Sequence, residues 1–163
     1  MALNLQHARF VGVLKTSFSL KASNLLDQDY WMVDQTFYFY LNNETSVEVP
    51  KGYLTDGASV PRLLWAFIPP WGAYGQAAVL HDYLCEYLTV TTERNDVKIS
   101  RKECDAILNH AMLLVGVPWF KRWLIYLAVC FYRIVFCVSN PNPNPHKQEL
   151  ELALMQEDSG DPT

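Results

Sequence analysis

His81 and Asp82 stand side by side in "AAVLHDYL" (77–84), an apolar run with helical spacing. Ionisable groups in such a run cost free energy unless they are partnered. Neighbours on a helix point about 100° apart, so the two cannot bond each other and instead serve adjoining positions of one cleft. An imidazole with a pKa near 6.5 suits general-base work. It does so once a carboxylate or carbonyl on its second ring nitrogen fixes the tautomer.

Asp105 can supply that carboxylate. The spans 73–88 and 100–115 both read as helices. Packed as an antiparallel hairpin, they bring His81 and Asp105 to heights that differ by only a few ångströms, at about 1.5 Å of rise per residue. Asp82 is then left facing the cleft with no evident cation. The loop "TDGAS" adds Asp56 in a turn, and Gly57 frees the backbone there for unusual dihedrals. Two carboxylates with backbone carbonyls make the kind of oxygen cage that calcium prefers. The implied device has His81 as base and Asp105 as its orienting partner. A Ca2+ on Asp82 and Asp56 would polarise a carbonyl and stabilise its oxyanion.

A rival reading needs no metal. Arg101 pairs with a nearby carboxylate, Asp82 included, and the cluster is a buried ionic network that fixes the helices. Ser59 lacks a G-x-S-x-G context, so a turn or helix-cap role ahead of Pro61 is expected. His7, His110 and His146 carry no motif and are expected on the surface or in packing.

The elements that must position these groups follow from hydrophobic period. Residues 1–60 read as β. In "YWMVDQTFYFYL" (30–41), Trp31, Val33, Phe37, Phe39 and Leu41 share one face, which suits a sheet face better than a ligand platform. "NNE" is a turn and 45–50 a returning strand; Pro69 and Pro70 interrupt the next apolar stretch. The first helix buries Ala77, Leu80, Leu84 and Leu88. "TVTTERNDVKI" reads as a polar loop. Ser100 with Glu103 forms a capping box that starts the second helix. Cys104, Ile107, Leu108, Ala111 and Val115 are its buried stripe, and Gly116 with Pro118 stops it. Pro118 opens a third helix, 118–138, whose apolar run is broken by Lys121, Arg122 and Arg133. A membrane span needs roughly 20 apolar residues. A core helix is therefore expected first and an interfacial helix second, with Trp119, Trp123, Tyr126 and Tyr132 packed on the hairpin. "SNPNPNPHKQ" reads as a linker, followed by an acidic tail with a short helix over 149–156 and otherwise mobile.

Length and composition bound the class. A chain of 163 residues, half of them hydrophobic and 13% aromatic, can fold as one globular domain. A net charge of −4 without a basic run disfavours nucleic-acid partners. "MALNLQHARFVGVLKTSFSL" has no basic n-region followed by a long apolar core, so no secretory leader is expected. Cys85, Cys104, Cys130 and Cys137 show no CxxC spacing, which argues against structural zinc and for reduced, packed thiols.

The ordered motifs "VPKGYLTDGASVPR", "AAVLHDYL", "SRKECDAIL" and "GVP", spread over roughly 30–132, resemble a phage- and prophage-borne domain family of unknown function. That resemblance implies a bacteriophage or prophage origin, with expression in the bacterial host cytoplasm or association with the virion. A second resemblance is to the small secreted His-Asp phospholipase A2 enzymes. Thr55, Asp56 and Gly57 match their calcium loop, His81 and Asp82 their dyad, and Arg101 and Asp105 their second helix. It implies His81 as base for an attacking water, Asp105 as its partner, and Asp82 with Asp56 as calcium ligands. Those enzymes join the two helices by a disulfide. Cys85 and Cys104 stand where one could be mimicked, with Cys85 one residue off the matching place.

The expected architecture is α+β: a small N-terminal antiparallel β portion, an antiparallel helical hairpin and a third, amphipathic to apolar helix. Residues 1–139 form the globular domain and 140–163 a flexible linker and acidic tail. The expected function is a phage-encoded, calcium-dependent lipid ester hydrolase acting at a lipid or membrane surface. The alternative is a non-enzymatic virion, tail or host-interaction protein. Its polar cluster is then structural, and its aromatic strands and tail dock a phage or host partner.

Overall fold

In the computed structural model, residues 5, 7–57, 72, 74–141 and 143–159 are described, with side chains up to 156. Ser59, Pro61, Pro69 and Pro70 lie outside the described residues.

Alternation builds the main sheet. In β4 (Phe37–Tyr40), Phe37 and Phe39 are buried while Tyr38 and Tyr40 are half exposed. β5 (Thr45–Val49) returns antiparallel with Thr45, Val47 and Val49 inward, so that Phe37 faces Val49 and Phe39 faces Val47. The turn between them is held by Asn42, whose Oδ1 accepts from the N–H groups of Glu44 (2.8 Å) and Thr45 (2.9 Å). β1 (Arg9–Val11) flanks β4, and the five-stranded order is β1-β4-β5-β7-β8, with β7 at Thr89–Thr92 and β8 at Asp96–Lys98.

The stretch 30–41 is not one strand. β3 (Trp31–Val33) belongs to a second, three-stranded sheet, ordered β2-β3-β6, with β2 (Thr16–Phe18) and β6 (Leu54–Thr55). Val33 and Gly52 exchange the chain's direction here. Val33 N–H donates to Tyr53 O at 2.9 Å and Gly52 N–H to Val33 O at 2.8 Å. The alternating face survives the break because Val33 and Phe37 are both fully buried. A helix, α1 (Leu20–Leu26), also interrupts the region read as all β. Ser19 caps it, accepting from Ala22 N–H.

α2 (Gly75–Tyr87) and α3 (Arg101–Leu114) are the expected pair. Between them the expected polar loop is a hairpin, β7 (Thr89–Thr92) and β8 (Asp96–Lys98), which extends the sheet through β5. Its threonines are β-branched and line the pleat, and Thr91 Oγ1 donates to Asp96 Oδ1 at 2.9 Å across the ladder. The class is α+β, with two of the eight strands among the described residues inserted in the helical hairpin. The capping box is present: Glu103 N–H donates to Ser100 Oγ, and Ser100 N–H donates to Glu103 Oε2 at 2.7 Å. Ser100→Ala should cost about 1 kcal/mol of stability in urea unfolding, the usual effect of losing a serine cap.

α4 (Trp119–Val135) buries only Ile125. Trp119, Trp123 and Tyr132 are exposed rather than packed on the hairpin, because Leu124, Ile125 and Val129 form the side that meets the core. Among the described residues, no helix is long and apolar enough to cross a membrane. α5 (Pro145–Ser159) is twice the expected helix, and its start falls within the stretch read as a linker. Lys147, Leu150 and Glu151 are buried, and Leu150 packs with Ala22 and Leu54.

Candidate active site

α2 and α3 run antiparallel, as the facing pairs His81–Asp105 and Leu84–Cys104 show. His81 Nε2 lies 3.1 Å from Asp105 Oδ1. The same nitrogen is 3.4 Å from Cys85 Sγ, one helical turn on. Asp105 is buried, and its other oxygen accepts from Arg133 Nε at 2.7 Å. Those bonds to His81 and Arg133 outweigh burial and hold the Asp105 carboxyl below its ordinary range. Burial pulls His81 down, but the charge on Cys85 and the hydrogen bond to Asp105 lift it to about 10. The neighbouring Cys104 side chain works against burial at Cys85 and, helped by the charge of His81, takes that thiol down to about 4.

Asp82 points to a different partner. Its Oδ2 accepts from Thr55 Oγ1 at 3.0 Å, and Thr55 Oγ1 in turn accepts from Gly57 N–H at 3.1 Å. Gly57 has φ +79°, the left-handed conformation expected of this turn. Asp56 Oδ2 accepts from Gln28 Nε2 at 2.8 Å. Burial first, then the neighbouring Asp56 carboxylate, push Asp82 well above the usual carboxylate range.

Thr55, Asp56, His81, Asp82, Cys85, Arg101 and Asp105 all line one cavity of about 760 Å³. The residues singled out at that wall are therefore brought together. Arg101 does not pair with Asp82: its Nε donates to Asn140 O at 3.4 Å. The cation on the network is Arg133, which lies in a helix read as apolar. Sequence reasoning missed one more group, and it placed Cys85 as a possible bridge partner of Cys104 without foreseeing its contact with His81. Tyr74 buries its hydroxyl beside the cavity with no hydrogen-bond partner among the described residues. No cluster of three or more His, Cys, Asp or Glu side chains that could hold a metal occurs among the described residues. A cation at Asp82 and Asp56 would complete its shell from backbone carbonyls and water.

Residues 31–129, from β3 into α4, match a family described as "Protein of unknown function (DUF1353)". The chain belongs to the DUF1353 family. The matched span holds Thr55 to Gly57, His81, Asp82, Cys85 and Asp105, while Arg133 and Lys147 lie beyond it. A relative of this DUF1353 chain is the uncharacterized protein y4jT of Sinorhizobium fredii, 33% identical over 135 residues. The alignment covers 78% of this chain and 36% of that protein. The chain thus corresponds to about a third of the relative it matches. No solved structure matches the chain.

Proposed function

We propose that the cavity is a hydrolytic site acting on an ester, of phospholipase A2-like type, in a phage-encoded DUF1353 protein. The observation that carries this reading is the His81–Asp105 bond on a cavity wall shared with Asp82 and Asp56. Because Nε2 is held by Asp105 and Cys85, Nδ1 is the ring nitrogen left to take a proton from water. Asp105 keeps the imidazole oriented and stabilises its charged form. Asp82, driven to hold a proton by burial and by Asp56, marks a surplus of negative charge that a divalent cation would relieve. Bound calcium would polarise the ester carbonyl and cancel the share of the negative field on His81 that comes from Asp82. The Tyr74 hydroxyl is a spare donor for a substrate oxygen. Exposed Trp119, Phe120 and Trp123 on α4, beside Lys121 and Arg122, suit contact with a lipid or membrane surface.

The test is cleavage of a short-chain phospholipid with and without millimolar calcium. His81→Gln should lower the rate at least a thousandfold and Asp82→Asn should remove the calcium dependence, both with the fold retained by circular dichroism. Calcium at about 100 times its Kd should stabilise the wild type by about 2.7 kcal/mol. No cleavage together with a flat calcium melt would discard this reading.

A second reading rests on Arg133. Its bond to Asp105 joins α4 to α3, as His81 joins α2, so the network can serve as an ionic pin between three helices. The protein would then be a non-enzymatic virion, tail or host-interaction component, recognised by unfolding on substitution of His81 in a protein that cleaves no lipid ester.

A further inference from the structure

Cys85 borders the cavity, and the hydrolysis proposed above gives it no task. Its bonding can be worked out from the acceptors around His81. Asp105 is a carboxylate held by Arg133, and a carboxylate oxygen can only accept. Nε2 of His81, 3.1 Å from Asp105 Oδ1, therefore carries a hydrogen. Cys85 Sγ, 3.4 Å from that same Nε2, shares this one N–H with Asp105 as an acceptor. The Cys104 side chain lies against Cys85. Cys104 and Cys137 each give their thiol hydrogen to a helix carbonyl, Leu84 O at 3.6 Å and Ile134 O at 3.7 Å. Cys85 makes no such bond among the described residues. A sulfur that faces an imidazole N–H and gives its own hydrogen to no described group is set up for its nucleophilic form. The two cysteines also differ in access: Cys85 lines the cavity, whereas Cys104 is fully buried behind it and all four thiols are free.

We propose that Cys85 is a peroxide-reactive thiol of the cleft and that Cys104 resolves its oxidised form into a disulfide between α2 and α3. The Cys85 thiolate attacks the terminal oxygen of a hydroperoxide and the O–O bond breaks. The alkoxide or hydroxide leaves and takes a proton from water, and Cys85 becomes a sulfenic acid. Cys104 then attacks that sulfur, loses its proton, and displaces the sulfenic oxygen as water. Two thiols are oxidised by two electrons while one peroxide is reduced to an alcohol, or to water for hydrogen peroxide. The bridge removes one of the two acceptors of His81 and ties the hairpin covalently.

The full chain is treated with stoichiometric hydrogen peroxide at neutral pH, quenched by alkylation, digested and weighed. Cys85 should be consumed at least ten times faster than the exposed Cys137, giving a Cys85–Cys104 linked peptide that dithiothreitol cleaves. In Cys104→Ser the link is absent and, with a second equivalent of peroxide, Cys85 gains two oxygens as sulfinic acid. His81→Gln, which removes a donor to the sulfur, should slow consumption of Cys85 about tenfold. The proposal is overturned if Cys137 reacts as fast as Cys85, or if Cys85 is consumed without the linked peptide in the wild type. Since the readout is a mass and not ester cleavage, it stands or falls separately from the hydrolytic reading.

Discussion

Lys147→Ala should lose about 3–5 kcal/mol of stability, the effect of stranding buried charges by removing their partner. Lys147 is 6% exposed, and its Nζ lies 2.5 Å from Glu86 Oε2 and 3.5 Å from Glu151 Oε1. The same ammonium sits 3.9 Å from the centroid of the Tyr53 ring. Without it, Glu86 and Glu151 face each other under the core with only Tyr53 Oη, Gln148 Nε2 and Leu54 N–H to receive them. The sign with pH is fixed by Glu151, which burial raises above its ordinary value of 4.5 although Lys147 opposes this. A carboxyl held more tightly protonated in the folded state destabilises as pH rises above its unfolded value. The variant should therefore melt higher at pH 5 than at pH 7.5, by more than the wild type does. The pair replacement Glu86→Gln with Lys147→Met should recover most of the loss. Chemical denaturation at the two pH values decides it, and a loss below 1 kcal/mol would show that the tail helix does not hold the core.

Asp105→Asn should be comparably costly, about 3–5 kcal/mol, because His81 and the Arg133 guanidinium lose a shared, buried acceptor. Here the folded carboxyl is depressed below 3.8. Its contribution is therefore present above the unfolded value and fades as pH falls through the lower folded one. The variant should lack that acid limb. Combined with Arg133→Met, the two losses should fall short of additive by more than 1 kcal/mol, the mark of directly coupled groups. Arg133→Met alone separates the two functional readings: it should weaken the fold yet leave His81, Asp105 and any ester cleavage in place. If it abolishes cleavage in a folded protein, Arg133 belongs to the chemistry as well.

Much of this was legible before any coordinate. The capping box, the stripe of Cys104, Ile107, Leu108 and Ala111, and the alternation of Phe37 and Phe39 are local patterns whose burial follows from period alone. The meeting of His81 with Asp105 followed from helix rise and an antiparallel turn-back. What escaped was set by distant partners. The break after Val33 depends on pairing with β6, some twenty residues on. The hairpin of β7 and β8 reads as polar because its outer face meets water and its pairing to β5 is invisible locally. Arg133 looked like an interruption of an apolar helix, since only the fold places Asp105 opposite it. Lys147 looked like linker polarity for the same reason.

α4 has one consequence for motion. A helix that buries Ile125 but covers Leu124 and Val129 only in part gains less from packing than α2 and α3, and such segments open at the low-energy end of a protein's fluctuations. Its amide protons should thus exchange with deuterium sooner than those of α2 and α3. Each opening carries Arg133 away from Asp105 and returns a lone carboxylate to the imidazole, so the charge state at the cleft breathes with that helix.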